Sequence, residues 1–238
     1  MENATYATLT RQSGLLHEMQ TVANNIANAS TTGFRAEGVI FSEYVRALGS
    51  DAPSLSMATA AVRETLQAQG ALDQTGGTFD LAVEGEGFFM VETPQGERLT
   101  RAGHFTPNAD GDLVNADGYR VLDAGGAPVF VPQGVGQIGI AADGTISADG
   151  TPVGQIGLFL PTDPIGMTRE GGVLFRADAG VEPALEGRMI QGFLEQSNVN
   201  PIAQITRMIE VQRAYELGQT FMDKEDERIR SVIKALGR

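Results

Sequence analysis

The sequence predicts an α+β fold: long N- and C-terminal α-helices pair as a coiled-coil-like assembly domain, and a central domain is mainly β. Apolar residues recur at steps of three and four near both ends of the 238-residue chain, and all ten prolines lie between Pro53 and Pro201. Short apolar runs fill the middle. We expect an N-terminal assembly helix, a connector, a central β domain and a C-terminal assembly helix at residues 1–34, 35–77, 78–190 and 191–238.

The first predicted helix runs from about Asn3 to Ala29. Its apolar seam consists of residues three or four apart: Leu15, Met19, Val22 and Ile26. A coiled coil buries a seam of this kind, and one helix cannot bury it alone. The run Asn28–Gly33 (NASTTG) then supplies helix-stop and turn residues, so the helix is expected to end there.

The segment after this turn fits no single pattern. The spacing of Phe41, Tyr44, Val45 and Leu48 favours a short helix. Gly49–Ser56 is typical of a loop, and Val62–Leu72 fits a strand or a helix equally well. We therefore predict a connector over this region.

The middle of the chain has β character between about Thr78 and Ile190. Short apolar runs alternate there with Gly, Asp and Pro: Leu81–Val83, Phe88–Val91, Tyr119–Leu122, Val129–Val131, Ile138–Ile140 and Ile156–Leu160. Many short strands at close spacing predict an all-β sandwich or barrel.

Four Ala-Asp-Gly triplets punctuate this β region, with their glycines at Gly111, Gly118, Gly144 and Gly150. Asp-Gly pairs make tight hairpin turns, because Gly accepts positive φ and Asp can bond the local backbone. Calcium loops are the alternative, but no run supplies alternating ligands and a bidentate Glu at the twelfth position. The triplets therefore predict hairpin turns.

The second predicted helix begins at Pro201, with Asn200 as its N-cap. Its seam continues almost to the end of the chain, through Met208, Val211, Tyr215, Met222, Ile229, Val232 and Leu236. A helix from Pro201 to Leu236 would be about 54 Å long, which is too long for a small domain unless it packs along another long helix.

Charge and composition exclude several classes of function. The net charge of −13 argues against nucleic acid or anionic lipid as the main partner. The chain has no cysteine, which excludes disulfides and thiolate metal sites. We recognise no secretory signal and no apolar run long enough to insert into a membrane.

The sequence gives little support to catalysis, a cofactor or a metal site. Glu84 and Glu86 have the spacing of same-face neighbours on a strand, and paired carboxylates can hydrolyse glycosides. The two histidines, His17 and His104, have no cysteine partner, and no Gly-x-Ser-x-Gly elbow occurs. We predict no enzyme and no cofactor. A secreted carbohydrate hydrolase and a cell-surface binding module are the competing classes.

The terminal helices allow a second interpretation, a hairpin that closes one monomeric domain. The polarity of their remaining surface argues against it, because Lys224–Arg228 is densely charged and two helices alone bury little. Many copies packed side by side would supply the missing apolar surface. The pattern therefore favours helices that form interfaces between molecules.

Several stretches resemble the signatures of bacterial flagellar rod and hook proteins. The strongest is the run from Val22 to Arg35, VANNIANASTTGFR. Three more regions are similar in the same order along the chain: Phe79–Phe89, Leu99–Phe105 with its continuation to Tyr119, and Leu194–Asn200 with Met208–Glu216. Within the family, the length and the opening residues Tyr6 and Arg11–Gly14 are most similar to a proximal-rod subunit, with a distal-rod subunit as the alternative.

The resemblance implies a structural subunit of a helical axial assembly that transmits motor torque through the periplasm. It also implies that the partners are other rod subunits and further copies of the chain. Export would use the flagellar type III apparatus, and the termini would stay largely unfolded until assembly.

The resemblance and the seams together indicate which residues carry assembly. The predicted interface is formed by Leu15, Met19, Val22, Asn24, Asn25, Ile26, Asn28, Met208, Val211, Tyr215, Met222, Ile229 and Val232. A hinge or turn at Thr32, Gly33 and Phe34 would shape the exit from the first helix.

Overall fold

Both terminal helices occur in a computed structural model that describes residues 2–46 and 55–236, with side chains at residues 7–40 and 64–236. Helix α1 spans Glu2–Ala27 and helix α2 spans Pro201–Leu236. The predicted α+β class is confirmed. The contacts divide the chain into a helical unit, Met1–Ala27, Glu37–Leu66 and Asn200–Arg238, and a β unit, Asn28–Ala36 and Gln67–Val199.

The helical unit contains a β-hairpin as well as the two helices. Strand β1 (Glu37–Arg46) pairs antiparallel with β2 (Leu55–Thr65), from Glu37 opposite Thr65 to Arg46 opposite Leu55. Helix α1 packs against α2 and against both strands. Asn200 caps α2 as predicted, because its Oδ1 accepts a hydrogen bond from the Ala203 N–H at 3.1 Å.

The predicted short helix from Phe41 to Leu48 is wrong over the part that the structure describes, since Phe41, Tyr44 and Val45 lie in β1. Aromatic and β-branched residues favour a pleated strand, and β2 supplies the pairing that a local pattern cannot reveal. Leu48 and most of the predicted loop Gly49–Ser56 lie outside the described residues, but the loop prediction is wrong at Leu55 and Ser56, which belong to β2. The ambiguous stretch from Val62 is strand as far as Thr65.

The predicted domain boundaries do not coincide with the two units. Residues 35–77, predicted as a connector, are shared between them, because Glu37–Leu66 belongs to the helical unit. The β unit also extends beyond the predicted limits of 78–190. It includes the turn after α1 and runs on to Val199.

Short antiparallel strands build the β unit. Their bounds are β3 Leu72–Gln74, β4 Leu81–Glu84, β5 Phe89–Thr93, β6 Gly96–Thr100, β7 Thr106–Pro107, β8 Leu113–Val114, β9 Arg120–Val121, β10 Ile138–Ile140, β11 Thr145–Ala148, β12 Thr151–Gln155, β13 Phe159–Pro161, β14 Met167–Arg169, β15 Leu174–Ala177, β16 Val181–Pro183, β17 Arg188–Gln191 and β18 Phe193–Glu195. The largest sheet has the order β14-β15-β6-β5-β9-β8-β7. The strands β10, β11 and β12 form a second sheet, and β13-β16, β17-β4 and β18-β3 form pairs.

Each Ala-Asp-Gly triplet connects two antiparallel strands, which confirms the predicted turns. All four of their glycines have positive φ, between 81° and 92°. The side chain that closes the first two turns is an asparagine rather than the predicted aspartate. Asn108 Oδ1 accepts hydrogen bonds from the Asp110 and Asp112 N–H groups. Asn115 Oδ1 accepts hydrogen bonds from the Asp117 and Tyr119 N–H groups.

The core of the β unit lies on both faces of β5. Alternate residues of a strand point to opposite faces. Phe89 and Val91 accordingly join one apolar cluster, and Phe88 and Met90 join another. Phe89 also meets the Phe105 ring edge-on, with ring centroids 5.1 Å apart. The apolar run Phe88–Val91 is therefore buried on both sides.

Candidate assembly surface

The two terminal helices pack antiparallel to each other. Gln12 Nε2 donates a hydrogen bond to the Tyr215 carbonyl at 2.8 Å, and Arg207 Nε donates to Glu18 Oε1 at 2.6 Å. Asn25 Nδ2 lies 3.3 Å from Gln204 Oε1. The numbers fall along α2 as they rise along α1, so polar contacts fix the register of the pair.

The predicted residues of α1 and the turn after it differ in their environment. Leu15 and Val22 are buried, and Met19 and Ile26 are half-buried. Asn25 is 1% exposed, because it faces the hairpin strand β1. The other two asparagines are less enclosed: Asn24 is exposed on α1 and Asn28 is half-buried in the turn.

The predicted residues of α2 become more exposed toward its C-terminus. Val211 is buried, at 2% exposed, and Met208, Tyr215 and Met222 are half-buried. Ile229 and Val232 are 40% and 42% exposed. The structure thus brings the first part of the predicted row to the contact with α1 and leaves the last part uncovered. The role of these residues in assembly stays a prediction.

Helix α2 extends beyond the end of α1. Glu2, the first residue of α1, lies ten positions before Gln12 and therefore falls opposite Glu225 in the observed register. Residues 226–236, which we call the α2 tip, lie beyond this point in the observed register. The tip is about 16 Å long at 1.5 Å per residue. It presents an exposed apolar row formed by Ile229, Val232, Ile233 and Leu236.

An apolar groove runs between α1 and α2, with a volume of about 390 Å³. Its apolar lining comes from Leu15, Ala214, Leu217 and Phe221. Leu217 and Phe221 are exposed, although their side chains are large and apolar. The helix pair therefore has a second uncovered apolar region beside its own seam.

Gln12 and Gly218 are contact residues that the predicted interface set does not contain. A Cβ on Gly218 would lie 2.3 Å from Gln12 Nε2, so the missing side chain makes room for the bond from Gln12 to Tyr215. Glycine weakens a helix interior, so Gly218 within the predicted α2 was the sequence signal that another group approaches the helix closely there.

Thr32 and Gly33 lie in a turn of the β unit that the Phe34 N–H closes by donating to the Thr31 carbonyl at 3.1 Å. Gly33 has φ of +70°, and a Cβ there would lie 2.2 Å from the Ala102 backbone nitrogen. Phe34 is buried against Ala36 and Val199, and the Arg169 guanidinium lies 4.3 Å from the centre of its ring. Their burial fits a fixed bend better than a flexible hinge.

The candidate catalytic residues do not assemble into a reaction centre among the described residues. Glu84 and Glu86 are exposed at the end of β4. His104 Nδ1 lies 2.6 Å from Asp80 Oδ1, and Asp80 also accepts a hydrogen bond from Thr75. Over the described part of the chain, no group of three His, Cys, Asp or Glu side chains is placed to hold a metal ion. Neither α1 nor α2 has a stretch both long and apolar enough to cross a membrane.

Three family models match the chain at both ends and in the middle. Residues 6–35 match the model for flagella basal body rod proteins. Residues 82–148 match the flagellar hook protein FlgE/F/G D1 domain, and residues 190–235 match the flagellar basal body rod FlgEFG protein C-terminal region. The chain is therefore a member of the flagellar rod and hook class of proteins.

Full-length relatives narrow this class. The chain is 40% identical over 245 residues to the flagellar basal-body rod protein FlgF of Caulobacter vibrioides, covering 100% of this chain and 99% of the relative. FlgF of Mesorhizobium japonicum is 37% identical over 241 residues, with the same coverage. FlgG of Bacillus subtilis is 28% identical over 260 residues, with 98% of each chain covered. The chain belongs to the flagellar basal-body rod protein FlgF family, which confirms the resemblance predicted from its sequence.

Proposed function

We propose that this protein is a structural subunit of the proximal rod of the bacterial flagellar basal body. It polymerises through its terminal helices and transmits motor torque for motility. The observation that carries this proposal is the α2 tip, whose row of Ile229, Val232, Ile233 and Leu236 is exposed in the single chain. Such a row on a long amphipathic helix is suited to burial against helices of neighbouring molecules.

The groove beside Leu217 and Phe221 supports the same proposal, because it gives the helix pair a second apolar surface. When identical subunits bind each other through two different surfaces, each added subunit is rotated relative to the one before it. If these rotations do not complete a closed ring, the subunits form a helical filament. The partners are further copies of this chain and other flagellar axial subunits. No nucleic acid or membrane insertion is part of the proposal.

The proximal rod is favoured over the distal rod by the relatives. The proteins named FlgF are 40% and 37% identical to this chain, whereas the FlgG protein is 28% identical over a similar share of the chain. A distal-rod subunit is the runner-up. Export through the flagellar type III apparatus and a place in the rod that crosses the periplasm belong to the same proposal. We assign no catalytic activity and no cofactor to the subunit.

A deletion strain tests the role directly. Cells that lack the chain should not swim, and electron microscopy of their basal bodies should show a rod that stops short. The wild-type chain should restore both properties. Full-length rods and normal swimming in the deletion strain would disprove the proposal.

The α2 tip is tested by placing one charge on its apolar row. Ile233→Glu changes a side chain that is 65% exposed, so the folded monomer should keep its stability while rod assembly and swimming fail. Ser231→Glu is the matched control, because it adds the same charge on the opposite side of the tip. Equal swimming of the two variants would rule out the apolar row as the contact.

A further inference from the structure

Three charged side chains lie buried together in the β unit. Arg35 and Glu195 are each 1% exposed, and Arg101 is 3% exposed. Arg35 Nη2 lies 3.0 Å from Glu195 Oε1, and Arg101 Nη1 lies 3.1 Å from Glu195 Oε2. One carboxylate therefore bridges two guanidinium groups. We call these three residues the Glu195 cluster.

The Glu195 cluster has an excess of positive charge in a desolvated place. Two guanidinium groups share one carboxylate, and the Nε atoms of Arg35 and Arg101 have no hydrogen-bond partner among the described residues. Burial lowers the pKa of Arg101 to about 10, although Glu195 acts to raise it. Buried ion groups of this kind are poor stabilisers compared with apolar side chains of similar volume. Their presence calls for a role other than stabilising the core.

The backbone partners of the cluster come from separate parts of the chain. Arg35 Nη1 donates to the carbonyls of Gln67 and Ala68. The Gly70 N–H donates to Glu195 Oε1 at 3.1 Å. The Gly33 N–H donates to the Glu195 carbonyl at 2.7 Å. The cluster therefore holds the segments around residues 33–35, 67–70 and 195 to one another.

Asn198 adds a second tie between the same segments. Its Oδ1 accepts from the Ala36 N–H at 2.6 Å, and its Nδ2 donates to the Ala68 carbonyl at 2.8 Å. Its own N–H lies 3.3 Å from the Phe34 carbonyl. The segments around residues 33–36 and 67–70 are thus each tied to the segment 195–198 by the Glu195 cluster and by Asn198.

These segments are the places where the chain leaves the β unit. The chain passes between the β unit and the helical unit after residues 27, 36, 66 and 199. Arg35, Gln67 and Ala68 lie within two residues of two of these crossings, and Glu195 lies four residues before the last. The first crossing leads into the turn that ends at Gly33.

We propose that Arg35, Arg101 and Glu195 are positioning residues that fasten together the chain connections leading to the helical unit. Force applied to the β unit then passes to all connections through one buried carboxylate. The role rests on the proposed function, because a subunit that transmits torque needs connections that do not loosen separately.

Hydrogen exchange on the purified full-length chain tests the fastening. In Glu195→Gln, the amides of Gly33 and Gly70 should exchange at least about tenfold faster, while the core strand β5 stays protected. Arg98→Gln is the matched control, because it breaks a largely buried ion pair with Glu170 in the same unit. Unchanged exchange at Gly33 and Gly70, or equal loosening in Arg98→Gln, would overturn the proposal.

An apolar replacement separates positioning from simple stability. A variant with Arg35→Met, Arg101→Met and Glu195→Met removes the buried charges and keeps side-chain volume, so the β unit should still fold and its core strands should stay protected. Its rods should nevertheless fail to support swimming. Should this variant swim normally, or should it unfold so that the core also loses protection, the cluster is a stability element only and the proposal is wrong.

The rod role itself can fail independently of this proposal. Failure of the wild-type chain to restore rods in the deletion strain would refute the proposed function. The exchange measurement on the purified chain would then still decide whether the cluster fastens the connections.

Discussion

Asn25 pairs with Glu37 as a neighbouring strand would. Its Oδ1 accepts the Glu37 N–H at 3.0 Å, and its Nδ2 donates to the Glu37 carbonyl at 2.8 Å. A helix side chain thus satisfies both backbone groups of the first residue of β1. The second asparagine of the Asn-Asn-Ile-Ala-Asn run is a structural contact within the helical unit, where the sequence suggested an intermolecular one.

Asn25→Ala should therefore loosen the start of the hairpin. The two buried backbone groups of Glu37 lose their partners, at a cost of about 1–3 kcal/mol for each group left unsatisfied. Exchange of the Glu37 amide should become faster, and chemical denaturation of the helical unit should shift to lower denaturant. Asn24→Ala, at the exposed neighbouring position, is the control. Equal effects of the two substitutions would contradict the pairing role.

Gly218→Ala sets two opposing effects against each other. In an ordinary helix interior the change stabilises by about 1 kcal/mol, because Ala has the higher helix propensity. Here the new Cβ would displace Gln12, which then loses its bond to the Tyr215 carbonyl. We expect net destabilisation of the helix pair in thermal unfolding.

A second background makes this test decisive. In a Gln12→Ala protein no Gln12 side chain remains for the new Cβ to displace, so Gly218→Ala should become stabilising. The idea of a required close approach fails if Gly218→Ala is stabilising in the wild-type chain as well.

Val211→Asp should separate the two helices while the β unit stays folded. The new carboxylate would be buried between α1 and α2 without a partner, at a cost of about 3–5 kcal/mol. Strand amides of the β unit should keep their protection, and the variant should fail to enter rods or to restore swimming. Gln212→Asp places the same group on the exposed face and should behave as wild type. Normal swimming of Val211→Asp would refute the role of the helix pair.

Asp80 should make stability depend on pH in the acid range. Burial acts to raise its pKa, but hydrogen bonds with Thr75 and His104 outweigh this and hold the pKa below the ordinary value of 3.8. A lowered pKa in the folded state stabilises the fold above pH 3.8, and this contribution is lost as the pH falls through the folded-state value.

The measurement compares the free energies of unfolding of wild type and Asp80→Asn across this range. Their difference should be constant at higher pH and should shrink on acidification. Thr75→Val removes one of the two hydrogen bonds to Asp80. Its difference from wild type in the free energy of unfolding should also shrink on acidification, but by a smaller amount. If the difference in the free energy of unfolding between wild type and Asp80→Asn does not depend on pH, the lowered pKa of Asp80 does not stabilise the fold.

The sequence predicted those elements whose signals are local. Asn200 and Pro201 marked the start of α2, because they suit the N-cap and the first position of a helix. Each Asp-Gly pair marked a turn, because Gly accepts the positive φ that the turn needs. The hairpin β1–β2 was missed, because Phe41, Tyr44, Val45 and Leu48 happen to lie at helical spacing and the strand forms by pairing with β2. The periodicity of one segment does not reveal which other segment it pairs with.

The Glu195 cluster could not be predicted for a related reason. Arg35, Arg101 and Glu195 lie in three of the stretches that resemble flagellar proteins, but about 160 residues separate the first from the last. No spacing rule connects them. Only the fold shows that the three motifs meet at one carboxylate.

Helix α2 has one consequence for the thermodynamics of assembly. Val211 is the buried residue among its described side chains, so folding of the chain by itself removes little of this helix from water. In the proposed rod, most of its apolar surface would be dehydrated when subunits join. Rod growth should therefore show a large negative heat-capacity change, and because hydrophobic association weakens on cooling, low temperature should favour subunits over rods.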